Sequence, residues 1–449
     1  MLRTIRVAED VFAPGHLGEL TRLVPFEMVD AALTQCGALQ QRVRKLPARV
    51  VVYLLLAAAL FEDCGYPEVW SKLTGALEGL PIPKVTATAL WHARCRLGIR
   101  PMRALFDLLR GPATAIRTAG ARWAGLLVVA IDGTYLDVPD TPNTRAGLGK
   151  GANQYTAASG YPQICLVALV ACGTRAVIDA VFGPRSTGES IHGRRLMRSL
   201  RAEMIVLLDR GFATNAYLTA VAETGADFLA RLSAARKPPM LRRFPDGSIL
   251  SRIGDVEIRI VVCEIAIATA TGRQTGCYRL ATTLLDHRRY PAFELVRLYH
   301  ERWEVESAFF GIKKSMLGRR VLRARTLPGI AQEVYALLTA YQLIRTAIAD
   351  AAEAAGADAD RGSFTTALNA ARDQVVQAAN VLAGTVIDLV GAIGRAVLDN
   401  LMPDRRLRVS PRAVKRPLSR YAYRSLRVDR HTYKATISVD ILSTDAPGP

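Results

Sequence analysis

Between residues 125 and 232 the chain carries five short, nearly uninterrupted apolar runs, and their order restricts the fold more than any other feature. Residues 125–131 are mostly leucine, valine and isoleucine and close on Asp132-Gly133. Residues 164–172 and 175–182 form two more runs, separated by Gly173-Thr174, a hairpin signal. Residues 204–208 close on Asp209-Arg210-Gly211, and residues 227–232 form the fifth run. Runs this short and this rich in β-branched residues read as buried strands. Residues 189–201 and 214–223 have helical spacing instead. The order is therefore one strand, a hairpin, then helix and strand in alternation, which demands a mixed α/β sheet.

That layout is the one found in ribonuclease-H-like α/β domains. The segments around it differ in texture. Residues 236–285 hold alternating segments punctuated by Pro238-Pro239, Pro245-Asp246-Gly247 and Gly272, and read as a β-rich insertion. The first hundred residues read as short helices, among them 86–97, with Thr86 as cap and Gly98 as stop. Helices are expected again over 291–314, 327–348, 363–372 and 375–400, with 349–361 a loop or loose helix. The expected division is a helical N-terminal DNA-binding domain (1–115), a catalytic domain with the insertion (116–348), and a helical, basic C-terminal region (349–449).

Charge narrows the partners. The chain has 59 Lys+Arg against 40 Asp+Glu, a net +19, which makes a polyanion the first expectation. Residues 405–434 are strongly basic. The helix near 88–97 carries His92, Arg94 and Arg96 and is a candidate to read a DNA groove, the ordinary reading being an amphipathic helix with solvated arginines. The longest apolar run, residues 50–61, is too short for the roughly 20 residues of a membrane span. No signal-peptide core opens the chain. Seven cysteines with no C-x-x-C pair fit reduced thiols in a cytoplasmic protein, and a DNA partner would make it nucleoid-associated. Six scattered histidines make a histidine-ligated metal improbable, so any metal must be held by carboxylates, as Mg²⁺ or Mn²⁺ would be.

Two-metal phosphodiester chemistry needs carboxylates that hold divalent ions about 4 Å apart. Asp132 and Asp209 each end an apolar strand, where open α/β sheets place their sites. Asp137 and Asp140 are reserve candidates, although an acid beyond a strand is ordinarily a turn residue. A third acid lies in Y-H-E-R-W-E-V-E-S-A-F-F-G-I-K. Read as one helix from Tyr299 to Lys313, this segment places Tyr299, Arg302, Glu306 and Lys313 within an arc of about 60°. Glu306 would serve a metal; Arg302 and Lys313 would serve phosphates. The competing reading is a solvent-facing salt-bridge face, to which Glu301 and Glu304 are better suited.

The spacing Y-x₂-R-x₃-E-x₆-K resembles the signature of DDE transposases of the insertion-sequence-four family, and all four positions are present. V-V-A-I-D-G-T and V-L-L-D-R-G-F resemble the family's two Asp blocks, in order, and the likeness spans nearly the whole chain. It implies catalysis by Asp132, Asp209 and Glu306 with Mg²⁺ (or Mn²⁺), an insertion between the second Asp and the Glu, and double-stranded DNA as partner. That DNA would be terminal inverted repeats and a target, with two protomers joining two ends. It further implies a hairpin on the element's end, with a base flipped onto an aromatic side chain. Tyr278 in C-Y-R-L-A-T-T stands at the corresponding position, with Tyr299 and Arg302 on the neighbouring phosphates. Two alternatives stay open: a DNA-binding regulator descended from such an enzyme with dead catalysis, and a nuclease that cuts without joining.

Overall fold

The computed structural model describes residues 4–6, 12–40, 44–77, 81–115, 118–150, 160–236, 238–270, 272–377, 390–403 and short stretches at 408–409, 433–434 and 436–442. Most of the basic 405–434 segment lies outside them. The described chain divides into two units, residues 1–206, 224–226 and 302–401 in the first, and 207–223, 227–301 and 402–449 in the second.

The first unit begins with the paired strands β1 (Thr4–Arg6) and β2 (Phe12–Pro14), then α1 (Phe26–Gln35), α2 (Ala48–Leu60), α3 (Tyr66–Thr74), α4 (Ala87–Leu97) and α5 (Arg100–Leu109). Helix α2 is apolar all round, and twelve of its thirteen residues are buried. A helix of that kind must be surrounded. The Thr86 hydroxyl caps α4 by accepting from the Ala89 amide at 3.2 Å, and Gly98 ends it with φ 70°.

The sheet of this unit holds β3 (Arg122–Trp123), β4 (Leu126–Asp137), β5 (Gln163–Ala171), β6 (Val177–Pro184) and the start of β7 (Met204–Leu208), with α6 (Pro142–Leu148) and α7 (Glu189–Arg194) between them. The strand order is β6-β5-β4-β7, and β4, β5 and β6 pair antiparallel. Every β5 residue except Gln163 is buried, which is why its sequence shows no alternation. The expected helix over 189–201 stops at Arg194 and is followed by a 3₁₀ turn at Met197–Ser199.

The division falls within β7, whose Leu207–Leu208 open the second unit. There follow α8 (Asn215–Glu223), β8 (Asp227–Arg231), β9 (Arg242–Arg243), β10 (Ile249–Ile253), β11 (Val256–Thr269), β12 (Gly272–Thr282) and α9 (Ala292–Tyr299). Their order is β8-β12-β11-β10-β9, all antiparallel. Buried Arg259 holds the layer together: its guanidinium donates to Asp246 Oδ2 and the Ser248 hydroxyl, both at 2.8 Å, and to the Tyr290 carbonyl at 2.7 Å.

The chain returns to the first unit with α10 (Trp303–Phe310), a π-helical turn at Gly311–Met316, α11 (Leu327–Ala354), α12 (Phe364–Val376) and α13 (Gly391–Leu398). Helix α11 runs through Ala354, into the stretch expected as a loop or loose helix; Ala351 and Ala352 are buried there. It packs against α2, α5, α12 and α13. The Glu19 carboxylate caps α13, accepting from Ala392 N at 2.8 Å and Ile393 N at 3.3 Å. Gly391 permits this: its φ is 66°, and a Cβ there would lie 1.7 Å from Glu19 Oε1. The remaining described strands are β13 (Arg408–Val409), β14 (Tyr433–Lys434) and β15 (Thr436–Ile441), the last paired with β11. No described helix is long and apolar enough to cross a membrane.

Candidate active site

Strand β4 carries the first carboxylate, and its placement corrects the sequence reading. Asp132 does not end the strand; it sits mid-strand opposite Ala168, and pairing with β5 continues to Asp137 opposite Gln163. Asp-Gly reads as a turn, but the partner strand supplies a ladder that extends through it. Strand alternation puts 132 and 134 on one face and 133 and 135 on the other. The second face is filled by Glu189, whose Cδ would lie 2.7 Å from a Cβ on Gly133. Only glycine fits there without displacing that side chain.

The face bearing Asp132 and Thr134 meets the segment that carries the third acid. This segment is not one regular α-helix from Tyr299 to Lys313. Tyr299 ends α9, His300–Arg302 form a 3₁₀ turn, Glu306 lies in α10, and Lys313 lies in the π-helical turn. The Arg302 guanidinium stands between two carboxylates: Nη1 is 3.6 Å from Asp132 Oδ2 and Nη2 is 3.1 Å from Glu306 Oε1. The Lys313 ammonium donates to the Thr134 hydroxyl at 3.1 Å. Thus Asp132, Arg302, Glu306 and Lys313 converge on one face of β4. Thr134 was not singled out from the sequence, although its i+2 relation to Asp132 on a strand was the signal that could have found it.

Tyr299 serves a different place. It is buried, and its hydroxyl donates to the Leu208 carbonyl at 3.1 Å, one residue before Asp209. Asp209 follows β7 and orders its own turn, Oδ1 accepting from Gly211 N at 2.7 Å and Phe212 N at 3.3 Å. Among the described residues, no three His, Cys, Asp or Glu side chains are grouped closely enough to hold a metal ion. The donor chemistry nonetheless fits one. Asp132 and Glu306 are partly exposed oxygen donors gathered around a cation, and hard divalent ions take oxygen ligands.

The reserve acids are engaged elsewhere. Asp137 accepts from Gln163 Nε2 at 2.8 Å, and Asp140 is paired with Arg145 and Lys150. Tyr278 lies half-buried on β12, with the Arg231 guanidinium 4.2 Å from its ring centroid. The two α4 arginines part company. Arg96 is exposed, but Arg94 is buried, its guanidinium 3.7 Å from the Tyr66 ring centroid. Arg94 is thus not placed as a solvent-facing DNA contact: its guanidinium lies over the Tyr66 phenol inside the helical bundle, whereas Arg96 and His92 are exposed.

Residues 14–107 match the family model described as insertion element 4 transposase N-terminal, and residues 123–343 match the transposase DDE domain. The chain belongs to the insertion-sequence-four family of DDE transposases. It is 25% identical over 410 residues to the transposase InsG for insertion sequence element IS4 of Escherichia coli strain K12, across 87% of this chain and 90% of that protein. The putative transposase InsZ of the same organism is 26% identical over 205 residues, 45% of this transposase and 67% of InsZ. A cryo-EM structure of a piggyBac transposase synaptic complex with hairpin DNA aligns over 90% of this chain and 88% of its own, with a TM-score of 0.44 and 10% identity.

Proposed function

We propose that this DNA transposase excises and inserts a mobile element by cut-and-paste, with Asp132, Asp209 and Glu306 as its catalytic carboxylates. The observation that carries the reading is the pairing of Asp132 with Glu306 through one guanidinium, across more than 170 residues of chain. Both acids were named by the family's sequence pattern, and Asp209 stands in the second Asp block of the same pattern. The antiparallel β4-β5-β6 meander with β7 beside β4 supports a ribonuclease-H-like core.

DDE enzymes use divalent metal, and we assign Mg²⁺, with Mn²⁺ as a substitute. Asp132, Asp209 and Glu306 would hold it; when bound, it lowers the cost of charge on the attacking and leaving oxygens. The rest of the chemistry belongs to the chain. Arg302 keeps two like charges side by side by standing between them. Lys313, tied to Thr134, presents an ammonium beside the same strand face, where a phosphate would meet it. Tyr299 fixes the backbone at Leu208 and so steadies the turn that begins at Asp209. Tyr278 is the aromatic face for a flipped base in the hairpin step, and the ends are the element's terminal inverted repeats, brought together by two protomers.

The test is strand cleavage on a duplex carrying the element's end, with Mg²⁺. Alanine at Asp132, Asp209 or Glu306 is expected to remove nicking while leaving duplex binding intact. Normal nicking by Glu306→Ala would overturn the assignment.

A further inference from the structure

Glu304, two residues before Glu306, was read from the sequence as a surface charge; the structure takes it inward. Positions 304 and 306 are about 200° apart on a helix, so they leave α10 on nearly opposite sides. Glu306 turns to Asp132 of β4 through Arg302. Glu304 is bonded to the guanidinium of Arg175, which is only 2% exposed. Arg175 follows Gly173-Thr174 in the turn joining β5 to β6, and its φ is 58°, a left-handed conformation that non-glycine residues rarely hold.

Three further contacts keep it there. Arg175 N donates to the Ala171 carbonyl at 2.8 Å. Its own carbonyl accepts from the Tyr341 hydroxyl of α11 at 2.8 Å, and that hydroxyl accepts from Arg345 Nε at 2.9 Å. Its Nη1 donates to the Asp360 carbonyl at 3.0 Å. A buried ion pair is poor evidence of added stability, since apolar residues of similar shape do as well or better. A strained backbone in a turn held by three other elements points to a constraint on geometry instead.

We propose that Arg175 is a positioning residue for the cleavage reaction: by gripping Glu304 it fixes the rotation of α10 about its axis, and thereby the direction in which Glu306 meets Asp132. The inference rests on the assignment of Glu306 as a catalytic carboxylate. Rotating α10 by a fraction of a turn would carry the Glu306 carboxyl off the β4 face, and displacements of about 1 Å at a reacting centre cost up to a hundredfold in rate.

The experiment uses full-length protein on an end duplex under single-turnover conditions. Glu304→Gln keeps shape and helix but removes the charge; Arg175→Gly removes the guanidinium while relieving the left-handed strain; Arg175→Lys keeps the charge without the fork. Glu304→Gln and Arg175→Gly are expected to nick about ten- to a hundredfold more slowly, with Arg175→Lys between them and wild type. Duplex affinity is expected to stay near wild type, while Mn²⁺ binding to the protein–DNA complex, read by paramagnetic resonance, weakens; the thermal midpoint falls where a buried partner is left unpaired, so nicking is compared well below each variant's midpoint. Wild-type nicking and Mn²⁺ binding in Glu304→Gln would overturn the proposal. So would wild-type nicking and Mn²⁺ binding in every variant once each is assayed well below its own thermal midpoint, which marks a merely structural pair. Glu306→Gln is the control: if it nicks normally, the catalytic assignment itself fails, whereas an inactive Glu306→Gln beside a normal Glu304→Gln removes only the positioning role.

Discussion

Tyr278 shows how much one side chain can be asked to do. It pairs opposite Cys263 on β12, half-buried, with Arg231 against its ring and Gly276 so close that a Cβ there would lie 3.0 Å from Tyr278 Cε2. The ring is thus hemmed in on its own strand and by Arg231. Stacking of a base on such a ring contributes about 1–3 kcal/mol. Tyr278→Ala is expected to slow hairpin formation roughly tenfold to a hundredfold, with first-strand nicking unchanged. Denaturing gels that follow the two products separately give the measurement. An unchanged hairpin yield would remove the stacking role and leave the carboxylates untouched.

At the scale of elements, helix α4 separates two jobs that its sequence runs together. Arg94 and Arg96 are two residues apart and chemically alike, yet one stacks on Tyr66 and the other meets solvent. Arg94→Ala is expected to destabilise the fold by about 2 kcal/mol, the scale of a desolvated cation–π contact, without changing the salt dependence of DNA binding. Arg96→Gln should do the reverse, lowering that dependence by about one phosphate contact. Thermal unfolding and binding titrations at several salt concentrations distinguish them. The same limits govern what was legible in the chain. The buried strands were legible because both their faces are apolar, as in β5 and β7. The mid-strand place of Asp132 was not, because only the partner strand shows that Asp-Gly is no turn. The acid–base face was legible in Arg302, Glu306 and Lys313. The ideal 100° step hid the 3₁₀ and π-helical turns, which turn Tyr299 toward Leu208. Arg175 and Glu304 gave no sequence signal as a pair, being brought together by folding from opposite halves of the chain.

A buried charge cluster joins the N-terminal helices to α11 and gives a pH prediction. Arg323 stands between Glu62, just beyond α2, at 3.2 Å and Glu333 of α11 at 3.4 Å, and it donates to the Phe61 and Cys64 carbonyls, each at 3.0 Å. One guanidinium faces two carboxylates. Burial pushes Glu62 up to about 8 against the pull of Arg323, with Glu333 adding to the rise; burial pushes Glu333 up as well. A folded-state value above the unfolded one means stability present at low pH and lost as pH climbs from about 4.5 to about 8. Glu62→Gln is expected to flatten that decline, so its thermal midpoint gains on wild type as pH rises from 5 to 8. A decline as steep as wild type's would show that Glu62 carries its charge throughout.

For the whole molecule the question is where DNA affinity resides, and charge answers it better than domain removal. Helices α2 and α5 pack on α11, whose Ile330, Val334, Leu337, Leu338 and Tyr341 are buried. Removing residues 1–110 would expose that face and unfold the unit rather than isolate a function. Neutralisation changes charge without removing chain. The net charge is +19, and the basic residues between 410 and 432 contribute heavily to it. If about six to ten phosphates are contacted, duplex affinity falls about a thousandfold or more between roughly 50 and 200 mM salt. Replacing the arginines between 410 and 432 by glutamine should flatten that dependence by about one contact for each arginine that meets a phosphate. Preference for the element's ends over random duplex should change little, since phosphate contacts position a protein and base contacts specify its sequence. Binding isotherms on both duplexes across a salt series measure the two quantities at once. A lost end preference with an unchanged salt slope would place sequence reading, rather than general affinity, in the tail.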